Sequence, residues 1–138
     1  MSELRTPTEV VLEVMRLVGA GEHQAAAALF ADTVDFSVTH APGLPWVPEV
    51  RARADMVQFF DLLSEHVVIE ELALETTVSE GNEVVLLGHL RDTMKRNGRT
   101  LSTRFALHVT VDDQRITRYH LYEDSYAVAQ AYFGDPAP

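Results

Sequence analysis

The spacing of apolar and polar positions divides this chain into a helical first half and a stranded second half. In TPTEVVLEVMRLVGAG, Val10, Val11, Val14, Leu17 and Val18 recur at helical intervals and form one apolar stripe. Thr6, Pro7 and Glu9 supply an N-cap, a first-turn proline and the acid that completes a capping box, and Gly19 and Gly21 mark the end. The alanine-rich EHQAAAALF predicts a second helix over residues 22–30. TVDFSVTH changes the period to two: Val34, Phe36, Val38 and His40 share one face, and Asp35, Ser37 and Thr39 the other. The next ten residues, APGLPWVPEV, hold three prolines and a glycine, a composition that excludes ladder pairing and predicts a loop. RARADMVQFFDLLSEHV returns to helical spacing through Met56, Phe59, Phe60 and Leu63.

From residue 67 onward, four stretches have strand character: VVIEELALETTVS, EVVLLGHLRDTMK, RTLSTRFALHVTV and RITRYHLYED. The turns EGN, RNG and DDQ separate them, and Asn97-Gly98 is a strong hairpin signal. Three helices and a first strand followed by an antiparallel meander predict an α+β domain. A sheet bent around a helix leaves a cavity on its concave side, a natural place for a small molecule. Parity then sorts the side chains. In the third stretch Leu101, Phe105, Leu107, Val109 and Val111 form the inward set; in the second, Val84, Leu86, Leu90, Asp92 and Met94 do. His89, Arg91, Arg104 and His108 fall on the opposite, outer face as a basic stripe.

The length, 138 residues, suits one domain with one core. A net charge of −10 argues against nucleic acid and anionic membranes as partners. With no cysteine, thiolate chemistry and sulfur metal sites are excluded. The N-terminal stretch has no apolar core of a leader, and no run is long enough to span a bilayer, so a cytoplasmic location is expected. The histidines show no metal-ligand spacing, and neither a phosphate loop nor a nucleophile elbow is present; no metal is expected.

Two stretches carry a resemblance. GLPWVPEVRARADMVQFF and VDDQRITRYHLYEDS, in this order and spacing, resemble the SnoaL-like, ketosteroid-isomerase-related branch of the NTF2-like superfamily, over about residues 6–131. Gln114 stands where a turn glycine is common, and Ala52 where a glycine often precedes the helix. The resemblance implies a cone-shaped fold, with N-terminal helices on a strongly curved antiparallel sheet. It implies a hydrophobic small molecule in the cone, no cofactor, and a homodimer through the outer sheet face. It also directs Ile116 inward; His120, Tyr122 and Asp124 then line the cavity by parity. The aspartate ending this strand is the acid/base of the cyclase type, a role that maps onto Asp124. His120, Tyr122 and His40 are its candidate partners, and Trp46, Phe36, Phe60, Leu90, Asp92 and Phe105 the candidate substrate-binding surface. Ketosteroid isomerase itself is a standard example of an aspartate base with an oxyanion hole.

The implied function is proton transfer on a hydrophobic carbonyl compound, as isomerase, cyclase or dehydratase. The alternative is a non-catalytic dimer that binds an apolar ligand or a partner protein. Asp124 also has a plainer reading, as a cap or as a partner of a loop amide or Arg118, and Trp46 as a plug of the cavity mouth.

Overall fold

A computed structural model describes residues 4–137. Residues 1–3, which begin the stretch read for a leader, and residue 138 lie outside it. Helix α1, Pro7–Gly19, begins at the expected capping box: Glu9 N–H donates to Thr6 Oγ1 at 3.2 Å, and Thr6 N–H to Glu9 Oε1 at 2.8 Å. Its buried face is Val10, Val11 and Val14. Helix α2, His23–Ala27, is shorter than the alanine pattern implied. The chain turns instead into strand β1, Phe30–Val38, four residues before the alternation becomes visible in the sequence. Phe30 is fully buried there and pairs with Ile116. Helix α3, Arg53–His66, follows the proline loop and is started from within: Asp55 Oδ2 accepts the backbone N–H groups of Arg51 and Ala52, each at 3.0 Å.

The strands β2 (Val67–Glu80), β3 (Glu83–Met94), β4 (Thr100–Asp112) and β5 (Arg115–Glu123) form the expected antiparallel meander. The sheet order is β1-β5-β4-β3-β2. β1 lies parallel to β5, so the sheet is mixed rather than wholly antiparallel. Proline loop and α3 together carry the chain from one sheet edge to the other, and α3 packs on both β1 and β2. Helix α4, Ser125–Phe133, was not expected; its apolar faces are short, and only Val128 and Ala131 are buried.

The inner faces of β3 and β4 follow parity. Val84, Leu86, Leu90, Asp92 and Met94 are buried on one strand, and Leu101, Phe105, Leu107, Val109 and Val111 on the other. They close on Val10, Val14, Met56, Phe59 and Phe60 from the helices, making one core. Gly88 is required by a close approach: a Cβ there would stand 2.1 Å from the carbonyl oxygen of Ala73, next to a register shift in β2.

Strand β5 departs from simple alternation. Val111 pairs with Ile116, yet the next pair is Thr110 with Arg118, so Thr117 is an extra residue, a β-bulge. Ile116 faces inward, and beyond the bulge every side chain is turned over relative to simple parity.

Candidate active site in the cone

A cavity of about 600 Å³ lies between the concave sheet, α1 and α3. Its wall is mostly apolar and aromatic: Val14, Phe59 and Phe60 from the helices, Leu90 and Phe105 from the sheet, and Trp46 from the proline loop. Into this surface project Asp92 of β3 and Tyr119 and Glu123 of β5. The bulge at Thr117 explains the last two, since it directs residues 119, 121 and 123 inward.

Asp92 is 9% exposed, and its Oδ1 has no hydrogen-bond partner. Burial disfavours its charged form and raises the carboxyl to about 7. Glu123 is also raised to about 7, first by burial and then by the negative charge of Asp92. Among the described residues neither carboxylate forms a salt bridge. Burial, and then the charge of Glu123, raise the hydroxyl of Tyr119, which stays protonated across the physiological range. Its ring is fixed from behind. Phe36, its register partner on β1, stacks on it with centroids 5.8 Å apart and planes 7° apart, and Phe59 meets it edge-on at 6.1 Å.

Two basic residues line the cavity, and both turn to partners other than its acids. Lys95 Nζ donates to the carbonyl of Ser64 at 2.8 Å, and His23 Nδ1 lies 2.5 Å from Asp61 Oδ1. Trp46, one of the lining residues, is buried and packs with ring centroids 5.3 Å from Tyr132 of α4.

The four expected catalytic residues are not in this cavity. Asp124 is the N-cap of α4; its Oδ1 accepts the N–H of Ala127 at 3.0 Å, and the residue is exposed. The plainer reading of Asp124 describes it, since an acid preceding a helix finds unpaired N–H groups at once. His120 lies on the outer face, with Nε2 3.0 Å from Asp35 Oδ1, in a network with Arg118, Glu83 and His108. Tyr122 is 48% exposed on the same face. His40 points out of the fold; its Nδ1 is 2.6 Å from the carbonyl of Val38 and must donate to it. Of the expected substrate-binding surface, Trp46, Phe60, Leu90, Asp92 and Phe105 line the cavity, whereas Phe36 stands behind Tyr119. Parity carried along β5 from Ile116 points Glu123 and Tyr119 outward, and the bulge at Thr117 reverses it. The sequence did hold a sign: Tyr119 and Leu121 are more apolar than Arg118 and His120, which conflicts with an inward Ile116 unless a bulge separates them.

Among the described residues no group of three or more His, Asp or Glu is placed to hold a metal ion. No helix among them is long and apolar enough to cross a membrane.

Comparison with known proteins agrees with this architecture. The family model of the SnoaL-like domain matches residues 11–119. An NTF2-like protein from Burkholderia xenovorans LB400 superposes with a TM-score of 0.82 at 22% identity, over 91% of this chain and 94% of that one. An NTF2-like protein from Burkholderia thailandensis E264 gives 0.80 at 24% identity, over 93% and 98%. A candidate isomerase from Rhodopseudomonas palustris gives 0.78 at 17% identity, over 95% and 98%. Among curated proteins nothing matches the chain.

Proposed function

We propose that this chain, which belongs to the SnoaL-like domain family of the NTF2-like fold, is a cofactor-independent enzyme that moves a proton at carbon on a hydrophobic carbonyl compound. The observation that carries this reading is the pair of carboxyls, Asp92 and Glu123, in an apolar cavity without a basic partner. A carboxylate in water is too weak a base for a carbon acid; raised to about 7 it is far better matched to the task at neutral pH. Glu123 is the base. It takes the proton from the carbon next to the carbonyl, and the electron pair of that C–H bond passes to the carbonyl oxygen. The hydroxyl of Tyr119, held protonated and fixed by Phe36 and Phe59, is the donor available to this oxygen. The charge of Asp92 strengthens the base. Return of the proton to a different carbon gives isomerisation; attack of the enolate within the molecule, or loss of a hydroxyl, gives cyclisation or dehydration.

Exchange of carbon-bound hydrogen reads this step whatever the final product. The protein is incubated in D₂O with a panel of hydrophobic ketones, and deuterium uptake is followed by NMR. Wild type and Asp124→Asn are expected to exchange alike, and Glu123→Gln to lose at least about a hundredfold, the usual contribution of a general base. Exchange undiminished in Glu123→Gln removes Glu123 from the role. No exchange with any ketone leaves the cavity as a binding site for apolar ligands.

The outer sheet face supports the dimer. Across it run two rows of paired neighbours, Thr76–Leu87–Ala106–Tyr122 and Val78–Val85–His108–His120. Val78, Leu87 and Tyr122 are exposed there, 39–52% each. A second copy of the chain covers these rows in the proposed assembly.

A further inference from the structure

The two carboxyls pose a question that proton transfer alone does not answer. One base suffices for that step, yet the fold buries a second acid beside it, at a cost, with one oxygen unsatisfied. The other titratable groups lining the cavity are Tyr119 on β5, His23 at the start of α2, Lys95 after β3, and Glu70 and Glu71 on β2, of which Glu70 accepts from Thr93 and Glu71 lies 3.5 Å from His89. None is bonded to Asp92 or Glu123: Tyr119 is neutral, Lys95 is exposed and turns its ammonium to the carbonyl of Ser64, and His23 is paired with Asp61. The walls add the rings of Trp46, Phe59, Phe60 and Phe105, a residue class that attracts cations through its ring quadrupoles. The protein as a whole carries −10, a field that draws cations toward a low-dielectric cleft.

We infer that the natural ligand of this cavity is a hydrophobic compound with a cationic nitrogen, and that its ammonium group is the missing partner of Asp92. The inference rests on the reading of the cavity as the substrate site and narrows the substrate class: the carbonyl compound also bears a basic amine. Asp92 then anchors the ammonium, and Glu123, whose base strength in the bound state rests on burial rather than on the charge of Asp92, acts on carbon. Because the empty site holds protons on its two acids near neutrality, an arriving ammonium displaces them. Binding therefore releases protons and weakens as the pH falls.

The test uses three probes of one shape, phenylbutylamine, phenylbutanol and phenylbutanoate, titrated into the full chain by calorimetry in two buffers of different ionisation enthalpy. At about pH 8 the amine is expected to bind at least about tenfold more tightly than the alcohol, the ratio set by one modest charge interaction in a partly desolvated site. The carboxylate is expected not to bind. At about pH 5.5, with both acids protonated, the amine loses its advantage, and between the two the heats in the two buffers differ because protons leave. Asp92→Asn is expected to abolish the preference while still binding the alcohol, which shows that the cavity persists. Equal or tighter binding of the alcohol by wild type, binding of the carboxylate, or no binding of any probe overturns the inference. Deuterium exchange separates the two ideas: exchange without an amine preference rejects the ligand class and keeps the proton transfer, whereas an amine preference without exchange does the reverse.

Discussion

Asp92 is a buried acid with an unpaired oxygen, and it bears on stability as well as on the proposed chemistry. Its carboxyl sits at about 7 in the folded protein, against about 3.9 in an unfolded chain. Between those values the folded state keeps a proton that the unfolded state has lost, so stability falls as pH rises through this window and levels off above it. Asparagine occupies the same space and never ionises. Asp92→Asn is therefore expected to be close to neutral in stability at about pH 4.5 and stabilising by about 1–3 kcal/mol at about pH 8, less than the full shift because the cavity admits water. Thermal melts of both proteins at the two pH values check this, and a difference that does not change with pH would count against a buried, unpaired acid. The outer-face acids behave in the opposite sense. Asp35 is held below its usual range by His120 and then Arg118, and Glu83 by Thr110, His108 and Arg118.

At the scale of elements, β5 and α4 decide what the site contains. A single extra residue, Thr117, exchanges His120 and Tyr122 for Tyr119 and Glu123 on the concave face. The end of the strand is set by the helix that follows, whose first turn needs an acceptor. Asp124 provides it through Ala127 N–H. Asp124→Ala is expected to cost about 1 kcal/mol, the usual loss for an N-cap, and to lower the melting temperature by several degrees. Probe binding in the cavity should remain at the wild-type level, because the carboxylate faces solvent. A melting temperature equal to wild type would show that α4 does not depend on its cap. The helix also places Tyr132, at its end away from the cap, against Trp46.

At the scale of the whole molecule, the curved sheet presents two unlike surfaces. The concave one is apolar with a few acids. The convex one mixes Val78, Leu87 and Tyr122 with ion pairs such as His89 with Glu75 and Arg118 with Asp35. The proposed dimer uses the convex side, which leaves the cavity open in each copy. Leu87 is 39% exposed and points away from the cavity, so Leu87→Glu should separate the copies without touching the site. Sedimentation at micromolar concentration is expected to show a dimer for wild type and a monomer for the variant. A wild-type monomer sinks the assembly.

Period and punctuation alone were enough to read α1, α3 and the four-stranded meander, because a helix stripe, a capping box, an Asn-Gly turn and an alternating strand are written in neighbouring residues. The inward sets of β3 and β4 followed, and with them Leu90, Asp92 and Phe105 on the cavity wall. Three features were settled only by contacts between distant residues. The early start of β1 comes from Phe30 pairing with Ile116 across the sheet, against the local preference of an alanine-rich stretch. The parallel β1–β5 pairing depends on α3 crossing the sheet. The site itself depends on where one strand has an extra residue, and a bulge is defined by its partner strand rather than by its own sequence. Residue types supplied acids, a tyrosine and apolar walls; the register of β4 against β5 decided that Glu123 and Tyr119 face the cavity and that Asp124, one residue later, caps a helix.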